Sequence, residues 1–324
     1  MSGQRSAAIV GAGAMGSIVG AALVEAGVRT HFVDVSEALV DHLGADGLTI
    51  ERGGRARSVD VAATTDPASV GPVDAVLFFV KCYQTAAASE LARPLVGGAT
   101  TVATLQNGWG NGDVLASHFP PERLVPGITY HSGTVRGLGL VAHTNLGDAP
   151  TLVGPYAGDD VSGAALLADD LRRGGLGVEV TPGIRSEVWK KVVLNSATLP
   201  TAALTRLTAG ALGAHARMSR LVAGLARESS VVGRAAGFDV DPEERVSAIA
   251  GILDGAGDGK ASMLQDVEAG RRTEIDVING AVVQLAELHG VEVPLNRAMA
   301  ALIAGYEQAQ GLASSPRAVE ASGS

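Results

Sequence analysis

Residues 7–16 read AAIVGAGAMG, a short apolar run followed at once by glycines at 11, 13 and 16. No other stretch limits so tightly what this chain can fold into. A G-x-G-x-x-G spacing alone arises readily by chance in a chain with 43 glycines. Here it closes a buried-strand pattern and opens a helical one, SIVGAALVEAG, that stops at Gly27. In that setting the first glycine permits a tight turn, the second lets a pyrophosphate approach the backbone, and the third allows close helix packing. RTHFVD (29–34) then reads as a second strand and SEALVDHL as a second helix with Ser36 as its cap, which completes a βαβ unit.

Gly11, Ala12, Gly13, Ala14, Met15 and Gly16 are therefore the expected dinucleotide-binding loop. Asp34 ends the second strand 18 residues after Gly16, close to the spacing of about 20 at which an acid bonds the adenosine ribose hydroxyls. Its charge repels a 2′-phosphate, and no Arg or Lys in VDVSEALVDHL offsets it. NAD is expected as cofactor, NADP less so.

Further along, VDAVLFFVK (73–81) and TTVATLQNG (100–108) read as strands with the helix QTAAASELARPL between them. Weaker strand signals follow at LVPGITY, RGLGLVAHTN and PTLVGPY, then a helix VSGAALLADDLRR and a closing strand GVEVTP. Alternating strands and helices predict a parallel sheet covered on both faces. From 186 to 310 nearly everything has helical periodicity. The expected architecture is α/β: a doubly wound Rossmann sheet over 1–183, an all-α domain over 184–312 and a disordered tail over 313–324. A length of 324 residues suits two domains.

Composition narrows the partners. The net charge of -9 argues against nucleic acid and against an acidic membrane surface, since both select a cationic face. No run of about 18 strongly apolar residues predicts a membrane span. The single cysteine, Cys82, marks no oxidising compartment, and the N-terminus lacks the pattern of a signal peptide. A cytoplasmic protein with a small-molecule partner is expected.

Reduction of a carbonyl needs a proton donor, which His, Tyr or Lys can supply. The seven histidines are scattered with no metal-ligand spacing, so no metal is expected. Lysine is rare: of 25 basic residues only Lys81, Lys190, Lys191 and Lys260 are lysine, and two of these stand in SEVWKKVVLNSATL (186–199). On a helix, Lys191 and Asn195 share a face with Val188 and Leu199, while Lys190 is turned by about 100° toward solvent. In 261–290, Met263, Val267, Gly270, Val277, Ile278, Ala281, Leu285 and Leu288 form one apolar or small stripe, and Glu274 falls on it. A carboxylate on a buried stripe needs a partner, and Lys191 is a natural one. Ser262 and Gln265 fit a helix-capping box; Ser262 is equally placed to hold substrate.

Taken together, GAGAMG, VKCYQT, TLQNG, EVWKKVVLN and KASMLQDVEAGRRTEIDVINGAV resemble the ketopantoate reductase (2-dehydropantoate 2-reductase) family over nearly the whole chain up to about residue 310. The resemblance implies a Rossmann domain followed by a 6-phosphogluconate dehydrogenase-like helical domain, an active site between them and a homodimer. It implies Lys191 as general acid, Glu274 as the carboxylate that supports it and touches substrate, and Asn107 beside nicotinamide and substrate. Lys81 lines the same cleft, and Asn195 and Ser262 hold the keto acid. Two departures stand out. Leu199 occupies a position where the family commonly has a second asparagine for a distal hydroxyl, which favours a more apolar substrate. Val35 follows Asp34 where the family usually carries a basic residue for NADPH. The expected activity is NAD-preferring interconversion of 2-keto and 2-hydroxy acids; the alternatives are an authentic NADPH-dependent 2-dehydropantoate 2-reductase and a non-catalytic NAD-binding protein.

Overall fold

The apolar run before the glycines forms β1 (Ser6–Val10), and all five residues are buried, as a central strand covered on both faces requires. The computed structural model describes residues 4–144 and 150–312, so the tail at 313–324 lies outside the described residues. The chain divides into two compact units, Met1–Val188 and Trp189–Ser324.

The first unit carries β1 with β2 (Arg29–Val33), β3 (Leu48–Arg52), β4 (Arg55–Val59), β5 (Ala62–Thr64), β6 (Val73–Phe78), β7 (Val96–Thr104), β8 (Leu124–Thr129), β9 (Gly133–Gly137), β10 (Leu140–His143), β11 (Thr151–Val153) and β12 (Val178–Val180). Its helices are α1 (Ala14–Glu25), α2 (Glu37–Asp46), α3 (Thr85–Leu91), α4 (Asn111–Ala116) and α5 (Ser162–Arg173). Eight strands form one sheet in the order β12-β11-β8-β7-β6-β1-β2-β5. The six from β8 to β5 are parallel, and β11 turns antiparallel to β8. Period-two alternation splits the strands between two cores: Ile9, Leu77 and Phe32 join α1 and α5 in one, while Val10, Val76 and Phe78 enter the other with Leu95 and Phe119. Gly20 lets α1 lie flat on the sheet, since a Cβ there would meet the Phe32 ring at 2.2 Å.

A second sheet, β4-β3-β10-β9, was not foreseen over 48–59. The hairpin LTIERGGRARSV turns on Gly53 and Gly54, both with left-handed φ, the geometry of a two-residue turn. β4 is exposed almost throughout and β3 is half-buried, with only Leu48 sealed, so hydrophobic patterning carried little signal.

Two histidines are buried at one end of the β9–β10 pair: His143 Nε2 lies 3.1 Å from His131 Nδ1. Burial, then the neighbouring His131 and Arg52, push the His143 imidazole down to about 4. A base whose folded value lies below its unfolded value stabilises the fold only while neutral. That stability is complete above about pH 6.5 and is lost as pH falls toward 4, up to about 3 kcal/mol in total. Urea unfolding at pH 7 and pH 4.5 should show this loss, and His143→Gln should flatten it.

The second unit holds α6 (Ile184–Thr205) from Trp189 onward, α7 (Ala209–Ala214), α8 (Ala216–Ala235), α9 (Pro242–Gly255), α10 (Ser262–Glu268), α11 (Asn279–His289) and α12 (Pro294–Ala309). Trp189 is fully buried, donates through Nε1 to the Ser229 carbonyl at 2.9 Å and packs on Phe238. The stripe expected over 261–290 is not one helix. Left-handed Gly270 (φ +63) ends α10, the chain runs irregularly to Glu274, and a 3-10 turn at Ile275–Val277 leads into α11. Met263, Val267, Ile278 and Ala281 are buried as expected, but Leu288 is 80% exposed. The capping box is also absent. Ala261 is the cap position of α10, no side chain caps it, and Gln265 Nε2 instead donates to the Lys260 carbonyl at 3.0 Å.

Candidate active site

In the first unit, the loop after β1 matches its glycines one by one. Gly11 has φ +97 and an added Cβ would lie 2.9 Å from the Val80 nitrogen; at Gly16 it would lie 2.1 Å from the Gly11 carbonyl oxygen. Gly13 faces open space, with nothing within 4 Å of an added Cβ. Gly13 is the cap of α1 and no side chain occupies that helix end, so the first-turn amides of Ala14, Met15 and Gly16 have no partner within the helix. These features fit a dinucleotide pyrophosphate. The loop also stands at the switch point of the sheet, where β6 and β2 flank β1, the place where open α/β sheets bind ligands.

Asp34 is tied to the same loop. One carboxylate oxygen accepts the Ala12 N–H at 2.8 Å and the other the Ser36 N–H at 3.0 Å. Each oxygen keeps a second lone pair for a ribose hydroxyl. β5, the strand beside it, leads into Thr65 and Asp66 and adds no cation.

Lys81 and Asn107 follow β6 and β7, and a residue not singled out from sequence joins their segments. Gln106 Nε2 donates to the Val80 carbonyl at 2.6 Å and to Thr85 Oγ1 at 2.9 Å, while its Oε1 accepts from Thr104 Oγ1 at 2.8 Å. Buried Asn111 donates to the Asn107 carbonyl at 2.8 Å. The next residues are clasped from outside, because the Arg185 guanidinium lies 5.2 Å from the Trp109 ring centre and 5.9 Å from that of Tyr156.

In the second unit, α6 carries Lys191, Asn195 and Leu199 at successive i+4 positions. Lys191 is half-buried, and Glu274 is 9% exposed. Burial pushes the Lys191 ammonium down to about 8, against the pull of the Glu274 carboxylate, which raises it. A proton donor poised near working pH is what general acid catalysis favours. Asn195 is 6% exposed and its Nδ2 has no hydrogen-bond partner among the described residues. A buried donor left free is costly unless something else meets it, so it is available to a ligand oxygen. Ser262 is exposed at the first position of α10, free of the capping role. Leu199 packs with Met263, Ile275 and Ile278 in an apolar cluster, which places it beside the neighbours in sequence of Ser262 and Glu274.

A buried polar network also escaped the sequence reading. Asn279 Nδ2 donates to the Ser196 carbonyl at 2.9 Å and to Asn296 Oδ1 at 3.0 Å; Ser196 and Ser229 share a hydrogen bond of 2.8 Å; Glu228 accepts from Asn296 Nδ2 at 2.9 Å. Its one legible sign was a set of amides and serines inside otherwise apolar helical stretches.

Comparison with known proteins shows the family. Residues 7–158 match the family model Ketopantoate reductase PanE/ApbA, and residues 183–307 match that of its C-terminal part. A 2-dehydropantoate 2-reductase of Halobacterium salinarum is 31% identical over 91% of this chain and 96% of its own. A PanE/ApbA family ketopantoate reductase from Ralstonia eutropha superposes with a TM-score of 0.86 at 30% identity, covering 95% of this chain and all (100%) of that one. A D-mandelate dehydrogenase solved with NADH gives a TM-score of 0.86 at 25% identity over 94% of this chain and 99% of its own. With both of its units matched and the glycine loop, the lysine helix and the buried acid in place, the chain belongs to the ketopantoate reductase family.

Proposed function

We propose that this protein is an NAD-preferring oxidoreductase that interconverts a 2-keto acid, or a related carbonyl compound, with its 2-hydroxy counterpart. Its broader class is that of its family, a ketopantoate reductase-type enzyme acting on CH–OH groups. Bound NAD supplies the hydride-transfer chemistry. Gly11 to Gly16 hold the pyrophosphate and Asp34 the adenosine ribose. Lys191 gives its proton to the carbonyl oxygen in reduction and takes it back in oxidation, while Glu274 keeps that ammonium charged. Asn195 and Ser262 hold the acid, and Asn107 and Lys81 border the nicotinamide.

The observation that carries the reading is Lys191 beside buried Glu274, with a proton affinity near neutrality. NAD is favoured by the carboxylate of Asp34 with no Lys or Arg in residues 34–44 or 62–69, and the D-mandelate dehydrogenase relative was solved with NADH. Leu199 in its apolar cluster favours a substrate with an apolar rather than a hydroxylated distal group. A homodimer in the cytoplasm completes the proposal, as composition and resemblance imply.

The names of the curated relatives favour a second reading, an authentic 2-dehydropantoate 2-reductase. A panel of 2-hydroxy acids assayed with NAD, beside ketopantoate assayed with NADH and NADPH, separates the two. We expect turnover of apolar or aromatic 2-hydroxy acids with NAD. Efficient reduction of ketopantoate with NADPH would replace our proposal by the second reading, and tight NAD binding with no turnover would point to a non-catalytic protein.

A further inference from the structure

Pro200 lies inside α6. A proline has no N–H to give the carbonyl four residues earlier, so the Ser196 carbonyl loses its helical donor. Ser196 is fully buried, where an unmet carbonyl is costly. Asn279 Nδ2 takes the missing place at 2.9 Å and holds Asn296 Oδ1 at 3.0 Å with its second hydrogen. Asn279 is itself fully buried, and its Oδ1 has no partner among the described residues. Both hydrogens of its amide are thus committed to this link.

The two ends of the link are informative. Ser196 follows Asn195 directly and lies five residues after Lys191; Asn279 lies five residues after Glu274, across the 3-10 turn Ile275–Val277. The N–H missing at Pro200 therefore leaves one acceptor within α6, and the segment carrying the acid docks on it. We infer that Asn279 is a positioning residue: through the carbonyl that Pro200 frees, it sets Glu274 against Lys191 and fixes the Asn195 turn of α6. This rests on the proposed role of Lys191, and it adds a residue that acts through the acid and lysine rather than on substrate.

The test uses the full-length protein, with NAD and the best 2-hydroxy acid of the panel. Asn279→Ala should lower kcat about 10- to 100-fold, because a misplacement of about 1 Å in a reacting pair costs on that order. The KM for NAD should stay within about twofold, since the nucleotide loop is untouched. The pH at which oxidation reaches half its plateau, about 8 when Glu274 faces Lys191, should move downward. Because Asn279→Ala also strips a buried carbonyl, the double variant Asn279→Ala/Pro200→Ala is the control. Alanine at 200 returns an N–H to Ser196, so thermal stability should recover while kcat and the pH midpoint stay displaced. Recovery of activity together with stability would overturn the inference, and so would an Asn279→Ala enzyme with wild-type kcat and midpoint. Lys191→Ala is run in parallel: if it turns over normally, the functional reading fails instead, and with it the role assigned to Asn279.

Discussion

Lys191→Ala should lower kcat by about 10²- to 10⁴-fold in either direction, the range that a positioned proton donor contributes, while the Kd for NAD stays unchanged. The wild-type pH profile should carry the matching signature. Reduction needs the ammonium, so its rate is level below about pH 8 and falls tenfold per unit above it. Oxidation needs the free amine, so its rate rises with pH and levels off above about 8. The sign follows from the two influences on Lys191: burial lowers its proton affinity and Glu274 raises it. Glu274→Gln removes only the second, so both limbs should shift to lower pH. Limbs that stay in place, or move up, would remove Glu274 from its role; unchanged turnover in Lys191→Ala would remove Lys191.

The second large effect is expected at Asp34. Bringing a 2′-phosphate against a carboxylate costs several kcal/mol of like-charge repulsion, so Asp34→Arg should raise the ratio of kcat/KM for NADP over NAD by about 10²-fold. Absolute efficiency with NAD should also drop, because Asp34 accepts the Ala12 N–H as well. Asp34→Asn separates these contributions. Its side-chain oxygen can still accept from Ala12 while the charge is gone, so it should retain more activity and shift the ratio less. A ratio unmoved in both variants would mean that Asp34 does not face the ribose.

What could be read from sequence followed the physics of each signal. The glycine loop was legible because three glycines at fixed spacing each answer a steric demand, and at Gly11 and Gly16 the structure shows the atom a Cβ would strike. Lys191 and Glu274 were legible because charge on an apolar face is rare. The segment 261–290 misled, since 3.6-residue spacing continues formally across a break that only Gly270 announces. Gln106, Asn279 and Asn296 were passed over because an amide's hydrogen bonds join residues distant in sequence: Gln106 reaches Val80, and Asn279 reaches Ser196. Nothing in local periodicity reports such a partner. The hairpin at 48–59 was lost for the opposite reason, since its outer strand β4 is exposed almost throughout and the pair has too little apolar content to show a period.

The chain has only two tryptophans, and each unit holds one. Trp109 is half-buried beneath the Arg185 guanidinium, next to the turn that carries Asn107. Trp189 is fully buried, packed on Phe238 and hydrogen-bonded to the Ser229 carbonyl. The protein therefore contains two intrinsic fluorophores in unlike surroundings. Trp109→Phe leaves a single, fully buried reporter in the helical unit, and Trp189→Phe leaves one in the nucleotide unit. Unfolding, or ligand-induced quenching, can then be followed in each unit separately without an attached dye.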